Sequence, residues 1–255
     1  MKMLCFALAL LFALSTPGFA EVLPPMLVPP TSPSESAPAS PDNHLAGKII
    51  GVNAGHQRYE NTKTEPIAPG SRIRKPKCAQ GTRGRKTRTP EFKVTLDIAL
   101  QLRDALQARG AIVVMAREGH NVNISNAQRA KIFNAASADL AIHLHCDAAA
   151  NGVQGAKMYA PAARYTTKSI NKQSLQAGNY VLRAMCGQTG AKKRGLNSAT
   201  RFASLNYTKV PSMLFEMGFL SDAKEEKRLL NRRYQQNIVA GIVEGMDQYF
   251  AALES

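Results

Sequence analysis

The chain has 255 residues, with 33 Lys and Arg against 18 Asp and Glu, a formal charge of +15, and four cysteines. So few cysteines exclude a disulfide-stapled scaffold, and the length is enough for one sizeable hydrophobic core.

The opening stretch MKMLCFALALLFALSTPGFA has Lys2 as its only charge, an apolar run from Met3 to about Leu14, and small residues at Gly18 and Ala20. This is the three-part pattern of a secretory signal peptide over residues 1–20, and the run is shorter than the ~20 residues that a bilayer span requires. No later segment is apolar enough to span. The expectation is an exported protein, without a stable membrane span after cleavage, in the periplasm or the cell wall. Residues 21–45 are dominated by Pro and Ser and keep no helical or strand period, so they are expected to form a linker. Cleavage removes Cys5 and leaves Cys78, Cys146 and Cys186, an odd set that allows at most one disulfide within the chain.

From residue 46 to 255 the hydrophobic pattern alternates strand and helix. KIIGVN, Lys48 to Asn53, is a β-branched run closed by Ala54-Gly55 and predicts a buried strand. A long polar loop follows. It contains RIRKPKCAQGTRGRKTR, Arg72 to Arg88, with eight basic residues and no acidic one. In an exported protein such a run favours anionic envelope polymers or lipid head groups over nucleic acid. A helix is then expected with Thr89 as its cap, Pro90 in its first position, Val94, Ile98, Leu102 and Ala105 on one face, and Gly110 at its end. AIVVM, Ala111 to Met115, reads as a second strand.

Ser125 and Gln128 form a capping-box pattern that opens a helix to about Ala136. LAIHLH, Leu140 to His145, predicts a third strand and VQGAKMYA, Val153 to Ala160, a fourth. A helix from about Ser169 to Cys186 precedes the basic turn AKKRG, a short strand near Phe202 and the apolar strand SMLFEM, Ser212 to Met217. Asp222 and Glu225 can cap a final helical region that runs to about Ala252 and breaks near Asn231. Strands separated by helices predict one α/β domain, a mixed β-sheet covered by helices on both faces. There is no Gly-rich phosphate loop to support nucleotide chemistry.

In such a sheet, ligands gather at the carboxyl ends of the strands. His56 follows the first strand, His145 ends the third, Glu216 lies near the end of SMLFEM, and Glu91 sits in the first turn of the first long helix. Three His or carboxylate ligands with an open fourth position suit a hydrolytic Zn²⁺, and a further carboxylate beside its water can move the proton. The ligands fit no local zinc motif, so only the fold can bring them together. Glu216 is costly to bury unpaired among Met213, Leu214, Phe215 and Met217. His143 and His145 project to the same side of a strand but differ in depth by roughly 6.6 Å. His145 at the rim is the expected ligand, and His143 a deeper neighbour bonded to a ligand or to Glu216.

These stretches resemble the zinc-dependent N-acetylmuramoyl-L-alanine amidases of bacterial cell-wall turnover. GVNAGHQ is similar to the family's first strand with its His ligand, PEFKVTL to the segment with its Glu ligand, LAIHLHCDA to the segment ending in its second His ligand, and PSMLFEMGFLSD to the stretch with its catalytic Glu. The resemblance covers roughly Lys48 to Phe250. It implies one Zn²⁺ on His56, Glu91 and His145, Glu216 as general base, and peptidoglycan as substrate, cleaved between N-acetylmuramic acid and the L-alanine of the stem peptide. Arg117 and Arg129 are expected, from charge, to bind stem-peptide carboxylates.

The chain departs from the family pattern in carrying Asn53 where aspartate is common, Gln57 where glycine is common, and His143 where serine often stands. His143 adds a titratable group beside the metal. The segment Gln57 to Pro90 exceeds that of the simplest members, resembles a variant found in some spore-forming bacteria, and is expected to face the substrate. The alternatives are another zinc-dependent cell-wall peptidase, or a non-catalytic cationic wall-binding module. The presence of all four polar groups counts against the second.

Overall fold

The computed structural model describes residues 43–150 and 152–255, so the signal peptide and most of the linker lie outside the described residues. In chain order the elements are β1 (Ile49–Ala54), β2 (Asn61–Pro66), β3 (Arg74–Cys78), α1 (Glu91–Ala108), β4 (Ile112–Met115), α2 (Asn126–Ala135), β5 (Leu140–Asp147) and β6 (Ala156–Pro161). They continue with α3 (Lys168–Thr189), β7 (Lys193–Ala199), α4 (Ala203–Asn206), β8 (Ser212–Phe219), α5 (Ala223–Leu229) and α6 (Arg232–Glu254).

Six strands form one sheet in the order β4-β1-β5-β8-β6-β7. The pairs β1/β4, β1/β5, β5/β8 and β6/β7 are parallel, and β6/β8 is antiparallel. The crossovers through α1, α2 and α3 return strands in the same direction. β6 follows β5 with no helix between them and runs the other way. The mixed α/β architecture expected from the sequence is the one observed.

The period of two divides each strand between two environments. Ile50, Val52, Ala54, Leu140, Ile142, Leu144, Met213, Phe215 and Met217 point into the main core, with Ile98 and Leu102 of α1, Val181 and Met185 of α3, and Ile242 and Met246 of α6. The alternate residues face the other side, where α2 supplies Phe133 and α4 supplies Leu205. Gly51 is needed here, because a Cβ would lie 2.6 Å from the Phe133 ring. Among the described residues no helix is long and apolar enough to cross a membrane, and Cys78, Cys146 and Cys186 are free thiols.

Local signals are mostly obeyed. The Ser125/Gln128 capping box forms in full, and Asn231 ends one helical stretch and caps the next. Four expectations are corrected. Pro90, not Thr89, is the cap of α1 and has no side-chain cap bond; the Thr89 hydroxyl instead bonds that of Thr87 at 2.6 Å. The AKKRG stretch begins strand β7, and the residues after Phe202 form the short helix α4 rather than a strand. Asp222 caps α5, whereas the Glu225 carboxylate accepts from the N–H groups of Phe219 and Gly155, both at 2.7 Å. At the start of the described residues Leu45 is fully buried, and Asn43 Nδ2 donates to the Arg109 carbonyl at 3.0 Å.

The polar segment after β1 holds an antiparallel hairpin of β2 and β3. Glu65 anchors it by accepting from the N–H of Ala127, in the first turn of α2, at 3.1 Å. Asn206 adds a bond from its Nδ2 to the Ile67 carbonyl at 2.8 Å.

Helices α3 and α6 pack at unusually close range. A Cβ at Gly241 would lie 2.4 Å from Met185 Cα, and one at Gly245 would lie 2.4 Å from Val181 Cα. Gly245→Ala should therefore force the helices apart and cost about 1–3 kcal/mol, roughly 2–4 °C of melting temperature for each kcal/mol. Gly187→Ala, on the open side of α3, should instead stabilise by about 0.5–1 kcal/mol. Thermal unfolding followed by circular dichroism checks both, and equal effects would refute the close-packing account.

Candidate metal centre

The turn after β1 sets the first imidazole. His56 has φ 58°, a left-handed conformation that non-glycine residues rarely adopt. Gly55 precedes it because a Cβ there would lie 2.4 Å from the His145 ring, so the two imidazoles could not approach. The rings stand edge to face at 4.8 Å between centroids.

The carbonyls of this turn are held from below by two buried guanidiniums. Arg117 donates to the carbonyls of Ala54 at 3.0 Å, Gly55 at 2.9 Å, Phe92 at 2.8 Å and Gly119 at 3.0 Å. Arg129 donates to the carbonyls of Ala54 at 2.8 Å and His56 at 2.9 Å, to Asn53 Oδ1 at 2.6 Å and to Gln57 Oε1 at 3.1 Å. Arg117 is 3% exposed and Arg129 is fully buried. These arginines are committed to the backbone, which corrects the expectation that they bind substrate carboxylates. Burial, and in second place the charge of Arg129, pushes the Arg117 guanidinium down to about 9.

Glu91 opens α1 at 2% exposure and sits between the two imidazoles. Its Oε2 is 3.2 Å from His56 Nε2, and its Oε1 is 3.0 Å from His145 Nδ1. Oε1 also accepts from the Cys146 N–H at 2.9 Å, and Oε2 from the Thr82 N–H at 2.8 Å. His56 Nδ1 donates to the Ala79 carbonyl at 2.7 Å, which fixes the tautomer and turns Nε2 toward the centre, as in sites where a carbonyl orients a metal-binding imidazole. One donor atom from each of His56, Glu91 and His145 lies within 4.8 Å of the others.

The electrostatics suit a cation. Burial opposes charge on Glu91, but His56 and the bonds from both imidazoles outweigh it and hold the carboxyl well below its usual range. Burial likewise opposes a proton on His56, yet Glu91 raises its pKa, while His145 is lowered chiefly by burial. Two imidazoles and a charged carboxylate, with one ligand atom of each this close together, could hold a metal ion.

Glu216 lies on β8 directly in register with His145 on β5, on the face away from the main core. Adjacent strands lie about 4.8 Å apart, so its carboxylate flanks the three donors. It is 7% exposed, and its Oε2 has no hydrogen-bond partner. Burial first, then the charges of Glu91 and Asp147, raise its pKa well above the ordinary carboxyl value.

His143 shares that face one layer deeper. It is fully buried, packs against Phe133 at 5.6 Å, and its Nδ1 accepts from Asn53 Nδ2 at 3.1 Å. Its hydrogen-bond partner is thus Asn53, which corrects the expectation that it would bond a ligand or Glu216. Burial, then the charges of His145 and Arg129, push it down to about 3, so it stays neutral and sets no pH optimum near neutrality. Asn53 matches it, since the amide accepts from Arg129 and donates to the bare imidazole nitrogen. An aspartate could do only the first.

Sequence reasoning missed the loop before α1, whose Ala79 carbonyl and Thr82 N–H orient His56 and Glu91. The signal available was Gly81, with φ 80°, where a Cβ would lie 2.7 Å from Glu91 Oε2.

A mixed α/β sheet that gathers two imidazoles and a carboxylate at its rim, with a spare buried carboxylate beside them, defines a hydrolase domain of the metal-site type. Comparison with known proteins narrows this. Residues 50–248 match the family model described as N-acetylmuramoyl-L-alanine amidase, and the chain belongs to that family of peptidoglycan hydrolases.

It is similar to the germination-specific N-acetylmuramoyl-L-alanine amidase of Bacillus subtilis (strain 168), with 29% identity over 176 residues, covering 63% of this chain and 70% of the relative. It is also similar to N-acetylmuramoyl-L-alanine amidase Rv3717 of Mycobacterium tuberculosis, with 24% identity over 228 residues and coverage of 85% and 91%. The crystal structure of the amidase Ami1 from Mycobacterium smegmatis shares the fold, with a TM-score of 0.74 at 21% identity, over 82% of this chain and 99% of that one.

The commitment of Arg129 to the backbone gives a direct test. Arg129→Met should destabilise the protein by about 3 kcal/mol or more, since it leaves buried carbonyls unsatisfied, and urea unfolding would measure it. An unchanged midpoint with a raised KM would restore the substrate-binding role.

Proposed function

We propose that the protein hydrolyses the amide between the lactyl group of N-acetylmuramic acid and the L-alanine of the stem peptide, with one Zn²⁺ on His56, Glu91 and His145 and with Glu216 as general base. The observation that carries this is Glu216. A buried carboxylate with one unpartnered oxygen, in register with His145, is costly unless it has work to do at that rim.

Zn²⁺ bound there would supply a Lewis acid that polarises the amide carbonyl and lowers the pKa of water toward about 7. Glu216 accepts a proton from the attacking water as the new C–O bond forms. Burial favours its protonated state, so it can hold that proton until the C–N bond breaks and then deliver it to the departing L-alanine nitrogen. His56 is kept in one tautomer by Ala79, and Glu91 is kept charged between the imidazoles. The products are a muramoyl carboxylate and a stem peptide with a new amino terminus.

This reading agrees with the N-terminal export pattern, since peptidoglycan lies outside the cytoplasm. The basic run Arg72 to Arg88 supports association with anionic envelope polymers, because most of its cations lie on the outer surface of β3 and the following loop.

The purified protein should contain about one zinc per chain, and chelation should abolish activity until zinc is restored. Glu216→Gln should keep the zinc and lose nearly all release of stem peptide, about 10²–10⁴-fold in kcat. Mass spectrometry of a cell-wall digest should find new amino-terminal L-alanine; other new ends would indicate a peptidase. Loss of zinc from Glu216→Gln would make it a ligand instead. His143→Ser should leave zinc bound, and an emptied site would contradict the assignment of His143 to the layer beneath the ligands.

A further inference from the structure

The face that carries His145 and Glu216 continues onto β6. Lys157 is in register with Glu216, so His145, Glu216 and Lys157 form one row across three strands. Tyr159 follows two residues later on the same face, in register with Leu214, and is 4% exposed. Two cations converge on its ring. Lys157 Nζ lies 4.9 Å from the ring centroid, and the Arg201 guanidinium lies 4.6 Å from it and 4.7 Å from that of Phe202.

Arg201 is further fixed by a 2.6 Å bond from its Nη2 to the Tyr159 hydroxyl. Lys75, from the β2–β3 hairpin, donates to the Arg201 carbonyl at 3.3 Å and brings a third cation to the same end of the face. Among the described residues neither Lys157 nor Arg201 forms an ion pair. An exposed arginine ordinarily samples many rotamers; this one is pre-set by two aromatic rings and a hydroxyl, which leaves part of its donor fork open. Lys157 stands directly opposite Glu216 on the neighbouring strand, and the ring that seats Arg201 lies two residues further along that strand.

We propose that Arg201 and Lys157, seated on Tyr159 beside Glu216, form a carboxylate-binding subsite that holds an anionic group of the substrate near the scissile amide. This rests on the amidase reading of the site. The chemistry fits because peptidoglycan stem peptides carry carboxylates, which a guanidinium fork can bind with two parallel bonds.

The test uses two soluble muramoyl peptides that differ only in whether the stem carboxyl groups are free or converted to carboxamides. Arg201→Gln and Lys157→Gln should each raise KM for the free-acid substrate about three- to ten-fold with kcat nearly unchanged. Neither should change KM for the carboxamide. Arg201→Lys should recover part of the loss, since it keeps the charge without the fork. An equal rise on both substrates would mean that Arg201 only packs on Tyr159, and would overturn the subsite. No change on either, with normal turnover by the unaltered protein, would overturn it too while leaving the amidase reading intact. If the unaltered zinc-loaded protein cleaves neither substrate, the amidase reading falls and the subsite falls with it.

Discussion

The site depends on a constraint that carries no chemistry of its own. The chain leaves β1 with His56 in a left-handed conformation, which sets its ring against that of His145, and the carbonyls of Ala54, Gly55 and His56 must find donors in the buried layer beneath. Arg117 and Arg129 supply the missing donors. A buried guanidinium without a carboxylate is expensive, yet here the carbonyl dipoles at the ends of β1 and the turn meet nearly every N–H. Thr95 adds its hydroxyl to the Gly55 carbonyl at 2.9 Å. A carboxylate partner would be a poor substitute, because its negative charge beside Glu91 and Glu216 would compete with the site for a cation.

What the sequence made legible follows from this division. The β-branched and apolar runs of β1, β5 and β8 are two-faced only at their ends, so their period and their closing His or Glu were readable. The capping box of α2 and the break at Asn231 were readable because both are local. The roles of Arg117 and Arg129 were not, since an arginine that binds carbonyls and one that binds a substrate carboxylate look alike in sequence. The polar segment after β1 hid the β2–β3 hairpin for a related reason: it has too few apolar residues for a period, and its order comes from single buried acids. Glu65 meets the N-terminus of α2, and Glu226 accepts from the N–H groups of Lys86 at 2.6 Å and Thr87 at 2.8 Å.

Those two acids give the long basic segment its purpose in the fold. Eight cations in one stretch repel one another, and a loop of that composition would not order by itself. Glu226, 1% exposed, fastens its second half to α5, and the Arg85 N–H reaches the Leu220 carbonyl at 3.0 Å. The residues so fixed lead straight into Pro90 and Glu91. The same segment that carries the positive surface therefore also sets the Ala79 carbonyl and the Thr82 N–H against the centre. Surface charge and site geometry share one piece of chain, so changes in its anchoring acids reach the ligands.

The direction of β6 decides what stands on the far side of Glu216. A strand reached through a helical crossover would run parallel to β8 and bring its last residues to the rim. Because β6 follows β5 directly and runs antiparallel, its first residues arrive there instead, and Lys157 stands opposite Glu216. Across the row the electrostatic character then changes sign, from the carboxylate of Glu91, through the uncharged tendency of buried Glu216, to the cations on Tyr159. Burial and the charges of Glu91 and Asp147 outweigh the two cations at Glu216, so Lys157 and Arg201 belong to the side of the row where substrate is held. Proton transfer and the holding of an anionic group thus fall to neighbouring strands, and the antiparallel direction of β6 puts them side by side.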